Sequence, residues 1–143
     1  MRLEPAVELD LPEIATWVAA DPWHQNLGGN YWLTGSDCIF ACKLLDDEGT
    51  VVYVRVEDDT FGEANGFRLQ TQFAPEHVVS KHRVVRMALQ FFQTLTQLAR
   101  ANGKQYIITE SESPKLIAFL HRLGWKDAEQ ANNFVLGVHY EQT

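Results

Sequence analysis

The chain has 143 residues, with 19 Asp+Glu against 12 Lys+Arg, a formal net charge of -7, 45% hydrophobic and 22% charged residues. That length buries about two-thirds of the unfolded surface around one core, so a single domain spanning 1–143 is expected. The acidic balance argues against a general nucleic-acid surface, and no apolar run reaches the ~20 residues of a membrane span. The opening MRLEPAVELDLPEI places Glu4, Glu8, Asp10 and Glu13 where a signal peptide needs a basic start and an apolar stretch, so a cytoplasmic location is expected.

Arg2 to Leu9 reads as a first strand. Asp10 then offers an N-cap, with Pro12 in the first turn and Glu13 three residues after the cap, and Leu11, Ile14, Ala15, Val18 and Ala19 recur at helical spacing. That helix stops near Asp21-Pro22. The stretch WHQNLGGNYWLTG reads as irregular or as a short helix plus loop. Cys38 to Leu45 reads as a strand; Cys38 and Cys42 lie about 13 Å apart along it, too far for a disulfide, and are expected as buried free thiols.

The turn DDEG at 46–49 leads into TVVYVRVED, where Val52, Val54 and Val56 alternate with Tyr53, Arg55 and Glu57, a hairpin with one wetter face. After the turn-like DDTFGEANG, the run FRLQTQF alternates in the same way and predicts a third antiparallel strand. A long helix follows around Val79 to Asn102, with Val84, Ala88, Phe91, Phe92, Leu95, Leu98 and Ala99 as its apolar stripe and Asn102-Gly103 as its end. Tyr106 to Thr109 is a short strand. Ser113-Pro114 opens another helix, KLIAFLHRL, closed by Gly124, and NNFVLGVHY ends the chain as a strand. The order predicts an α/β (α+β) fold: one mixed, mostly antiparallel central sheet flanked by helices.

Positive charge is concentrated in KHRVVRMA, where Lys81, His82, Arg83 and Arg86 fall within six positions of an acidic chain. Two readings stand: an anion site, or a solvated helix start, where cations oppose the helix dipole. The order of elements, joined to ALQFFQTLTQLARANGKQYIITESESPKLIAFLHRLGW, resembles the GNAT acyltransferase superfamily. The detailed match covers residues 83 to 125, through Ala99-Arg100-Ala101-Asn102-Gly103 and Phe119-Leu120-His121-Arg122-Leu123-Gly124-Trp125.

Counting back from Ala99 by the family's helix length puts the coenzyme A pyrophosphate motif, Q/R-x-x-G-x-G/A, on Arg83-Val84-Val85-Arg86-Met87-Ala88. Arg83 and Ala88 keep its first and last positions, while Arg86 replaces its middle glycine. An arginine there either clamps a phosphate through paired N–H donors or occupies the phosphate's place.

The resemblance implies acetyl-CoA or another acyl-CoA as co-substrate, held by Arg83, Val84, Val85, Arg86, Met87 and Ala88. It implies N-acyl transfer to a small-molecule or peptide amine; the alternative is a GNAT-like binding module that has lost this chemistry. Dimers are common in the family, so a second copy of the chain is one expected partner. The family commonly uses a carboxylate or a water on the central strand as base and a tyrosine on the last helix as acid. FRLQTQF has no carboxylate, the tyrosine position is Leu120, and Glu110, with Glu112 beyond it, is the nearest acidic candidate.

His121 offers a substitute acid or a surface histidine. His24 offers an acceptor contact or packing, and His77 with His82 lacks a third metal ligand. Trp17, Trp23 and Trp32 offer a substrate pocket, a dimer contact or core packing.

Overall fold

The computed structural model describes residues 1–23 and 38–138. His24 and Trp32 therefore lie outside the described residues. Among those described, the elements are β1 (Arg2–Pro5), a 3-10 turn (Glu8–Asp10), α1 (Leu11–Ala20), β2 (Cys38–Asp46), β3 (Gly49–Phe61), β4 (Ala64–Phe73), α2 (Lys81–Ala101), β5 (Tyr106–Glu110), α3 (Pro114–Arg122), β6 (Lys126–Asp127) and β7 (Asn133–Gly137). They build a seven-stranded sheet in the order β1-β2-β3-β4-β5-β7-β6, antiparallel throughout except for the parallel pair β4·β5. The mixed, mostly antiparallel sheet expected from the sequence is present.

Alternation decides the two faces. Val52, Val54 and Val56 of β3, Phe67 and Leu69 of β4, and Cys42 and Leu44 of β2 are buried on one side. Here α2 adds Met87, Ala88, Phe91, Phe92, Leu95 and Ala99, and α3 adds Leu120, with Trp125 against Phe92 and His121 edge-on to Phe134. The opposite face carries Lys43, Tyr53, Arg55, Glu57, Arg68, Gln70 and Gln72, and α1 lies across part of it through Trp17, whose ring is 5.1 Å from that of Tyr53.

Several boundaries differ from the sequence reading. The first strand ends at Pro5, because the 3-10 turn begins at Glu8. Asp10 stands at the N-cap position of α1 without capping it: its carboxylate accepts from the Val7 N–H (2.9 Å) and from Lys43 Nζ (3.0 Å). Glu13 is likewise drawn off to Tyr53. The segment DDTFGEANG is mostly strand, since β3 runs to Phe61 and turns through Gly62, at φ 61°, straight into β4.

Ser113 caps α3 and Gly124 closes it at φ 95°, as the sequence predicts. Cys38 and Cys42 are both free; only Cys42 is buried, and burial pushes its thiol up to about 11. No helix among the described residues is long and apolar enough to cross a membrane.

Candidate active site

Strands β4 and β5 pair over a short stretch and then part. Their register runs from Gly66–Tyr106 to Leu69–Thr109. Beyond it β4 continues through Gln70, Thr71, Gln72 and Phe73, still paired with β3, while β5 stays with β7 through Glu110–Asn133. The Ser111 N–H, bonded to the Asn132 carbonyl at 2.9 Å, extends that allegiance by one residue. A wedge-shaped notch opens between the carboxyl ends of two parallel strands, where open sheets commonly gather ligands.

The polar lining of the notch follows from strand geometry. Ala74 N–H bonds to the Val51 carbonyl across β3, so the even-numbered residues of β4 direct their backbone groups to β3 and the odd-numbered ones to β5. Gln105 N–H on the Asn65 carbonyl obeys the same parity. At the apex Thr109 Oγ1 donates to the Leu69 carbonyl at 2.9 Å. Beyond the apex, the backbone N–H and C=O of Thr71 and the N–H of Phe73 face the gap, and the Phe73 carbonyl accepts from Gln72 Nε2 at 3.2 Å.

The crossover from β4 to β5 places the N-terminus of α2 at this same end of the sheet. Ser80 caps the helix, its Oγ accepting from Arg83 N–H (3.3 Å) and its carbonyl from Val84 N–H (3.2 Å). The N–H groups of Lys81 and His82 therefore head the helix, before its first internal bonds. Helix α2 begins at Lys81, so Arg83–Ala88 forms its first turns rather than a loop. Met87 and Ala88 are core residues, and Val84 and Val85 are half-buried.

The two arginines point away from the notch. Arg83 forks onto Asp46 at the β2–β3 hairpin, Nε to Oδ2 at 2.8 Å and Nη2 to Oδ1 at 2.6 Å, with Glu48 at 3.2 Å. Arg86 lies 2.6 Å from His82 Nε2 and lines a shallow pocket with Met1, Arg2, Asp46, Asp47 and Arg83 on the β1–β2 side. Of the four cationic positions in the cluster, Arg83 anchors α2 on the hairpin, while Arg86 contacts His82.

This anchor has a pH signature. The Arg83 guanidinium holds the Asp46 carboxyl at about 2, below its ordinary 3.8. Between those values the unfolded chain binds more protons than the folded one, so the stabilisation is complete above 3.8 and lost as pH falls towards 2. The melting temperature of the natural protein is expected to fall more steeply across that window than that of Arg83→Ala. Parallel curves would contradict the anchor.

On the polar face beside the notch, Gln72 is fully buried. Its Nε2 donates to Asp21 Oδ2 (3.2 Å) and the Trp17 carbonyl (3.5 Å) besides Phe73. Tyr53, its cross-strand neighbour, donates to Glu13 Oε1 at 2.6 Å; burial and that carboxylate push the phenol far up. Glu110 is exposed at the end of β5, and strand alternation gives it the face of Ile108 and Tyr106, the one carrying Gln70 and Gln72. Glu112 is exposed in the following turn.

Leu120, at the family's tyrosine position, is buried in the core. His121 pairs with Asp127 at 2.7 Å, beside β7 and away from the notch. No group of three potential metal ligands occurs among the described residues. Sequence reasoning passed over Tyr53, Glu13 and Thr109. The phase of the β3 and β4 alternation was the available signal for Tyr53; the apex role of Thr109 depends on register.

No protein-family model matches the chain, and no curated protein sequence does. Solved structures do match. The ribosomal-protein-S18-alanine N-acetyltransferase from Escherichia coli is 11% identical, at TM-score 0.63 over 99% of this chain and 96% of that one. Mycobacterium smegmatis RimJ in complex with CoA-disulfide is 13% identical, at TM-score 0.64 over 94% and 80%. The KacTA–DNA complex supplies a chain 14% identical, at TM-score 0.61 over 89% and 80%. These likenesses give the chain a GNAT-like fold. The expectation of no nucleic-acid partner gains no support from the matching structures, since these include chains from DNA complexes.

Proposed function

We propose that this protein is an acyl-CoA-dependent N-acyltransferase acting in the cytoplasm. The observation that carries the proposal is the β4–β5 notch, with backbone groups of Thr71 and Phe73 aimed into it and the N-terminus of α2 above it. An extended pantetheine arm adds to β4 as a strand would, taking the Thr71 N–H and C=O as hydrogen-bond partners. Its diphosphate lies over the first turns of α2, where the N–H groups of Lys81 and His82 and the positive helix end favour an anion. Within the segment Arg83 to Ala88, Arg83 then serves chiefly by fixing that turn.

The acceptor amine attacks the thioester carbonyl, forming the C–N bond as the C–S bond breaks. Nitrogen releases one proton and the departing thiolate takes one up. Glu110 is the carboxylate at the mouth of the notch, and it accepts the amine proton directly or through a water. Glu110→Gln is expected to lower kcat for acetyl transfer by roughly 100-fold and to leave acetyl-CoA affinity unchanged. Unaltered turnover would remove Glu110 from the reaction.

Leu120 favours a second reading, a GNAT-like binding module without transfer, because a buried leucine has no proton for the leaving thiolate. That reading predicts ligand binding with no acylated product from any amine.

A further inference from the structure

The two strands that part at the notch lead into segments that meet again beyond it. The chain leaving β4 runs through 74–80 into α2, and the chain leaving β5 runs through 111–113 into α3. Between them Lys115 Nζ donates to Glu76 Oε1 at 3.3 Å. This ion pair ties the connection that leads into α2 to the first turn of α3, so it spans the notch where the two helices begin.

Both side chains can let go at little cost. Glu76 is 82% and Lys115 78% exposed, and exposed pairs between long side chains hold weakly and weaken further in salt. The backbone under Glu76 is held from both sides: Ala74 and Val79 are buried, and the N–H groups of Val78 and Val79 bond to the Pro75 carbonyl at 2.9 and 3.2 Å. Releasing the pair therefore moves side chains alone. It leaves Lys115 in the first turn of a helix that has no acidic residue there, where the dipole opposes a lone cation and favours an anion beside it.

We infer that the Glu76–Lys115 pair is a latch across the notch, opened when a phosphate of the incoming acyl-CoA takes Lys115 from Glu76. The inference rests on the acyltransferase reading and adds how that site admits its ligand. A diphosphate over the N–H groups of Lys81 and His82 meets Lys115 from the other lip of the notch. Glu76, left beside a phosphate of like charge, is repelled into solvent. An acyl-pantetheine without phosphates offers Lys115 nothing and has to open the latch unaided, so the pair selects for the nucleotide end of the ligand.

The test compares acetyl-CoA with S-acetylpantetheine, which has the same arm and thioester but no phosphate. Binding is followed by the nitrogen-15 shifts of the Thr71 and Phe73 backbone amides in the natural protein, Glu76→Gln and Lys115→Met. Glu76→Gln is expected to bind both ligands about threefold more tightly, because the latch is gone and Lys115 remains. Lys115→Met is expected to bind S-acetylpantetheine about threefold more tightly and acetyl-CoA at least ~5-fold less tightly. A pair with a merely structural role would move the two ligands in the same direction.

Changes of one sign for both ligands in Lys115→Met, or unchanged Kd values in both variants, would overturn the latch and leave the acyltransferase reading in place. No response to acetyl-CoA in either the natural protein or Glu76→Gln would overturn that reading, and the latch with it.

Discussion

Replacing Gly66 by alanine is expected to lower the stability of the protein by about 3 kcal/mol, a fall in melting temperature on the order of 10 °C for a chain of this size. A Cβ built on Gly66 stands 2.5 Å from two ring carbons of Tyr106 and 2.6 Å from its carbonyl oxygen. The ring has little room to retreat, because Tyr106 crosses over Gly66 so that its hydroxyl reaches Asp59 Oδ2 at 2.6 Å. Asp59 is the β3 partner of Gly66, and Tyr106 its β5 partner, so one aromatic ring bridges three strands over one missing side chain.

The carbonyl oxygen is backbone and yields only if β5 moves. Since β4 and β5 are joined by the short register from Gly66 to Leu69, moving β5 also disturbs the base of the notch. Tyr106→Phe is the control: it keeps the ring and loses one hydrogen bond, at a cost of about 1 kcal/mol. Thermal melts of the two variants give the comparison. A Gly66→Ala protein as stable as the natural one would mean that β5 does not sit against β4 as described.

Thr71→Pro is expected to leave the fold intact and to weaken acetyl-CoA binding by at least ~10-fold, or about 1.4 kcal/mol. The effect depends on strand parity. The Thr71 N–H faces the gap and not β3, so a proline removes no ladder bond, as on an edge strand. The proline ring also projects its Cδ where the N–H pointed and narrows the notch. Gln70, the residue before it, is already extended, which the ring requires. Thr71→Val keeps the N–H and should bind as the natural protein does. Calorimetric titration of both variants decides the matter, and equal affinities would place the pantetheine elsewhere.

Most of the fold was legible because alternation and capping are local. Ser113-Pro114, Gly103, Gly124 and the valines of β3 all act through near neighbours, and the elements that they mark are present. The errors arise where a distant partner outbids a local one. Asp10 and Glu13 have the spacing of a cap for α1, but the Asp10 carboxylate is taken by the Val7 N–H of the preceding 3-10 turn and by Lys43, and that of Glu13 by Tyr53, brought in by the sheet. DDTFGEANG reads as a loop by composition, and its strand character comes from pairing along the whole β3–β4 hairpin.

The candidate site was less legible for the same reason. KHRVVRMA shows a cluster of charge, but a one-dimensional count cannot show that Asp46 and Glu48 of a remote hairpin lie against Arg83. It also cannot show on which side of the helix Arg86 emerges. The notch itself is a matter of where two strands stop pairing, which leaves no composition signal in FRLQTQF or YIITE.

The central claim is that the β4–β5 notch binds an acyl-CoA, and the melting temperature with and without acetyl-CoA tests it most directly. With ligand near 100 times its Kd, the natural protein is expected to gain about 2.7 kcal/mol of stability and to melt at a visibly higher temperature, a shift that Thr71→Pro loses. No shift in the natural protein at millimolar acetyl-CoA would contradict the account.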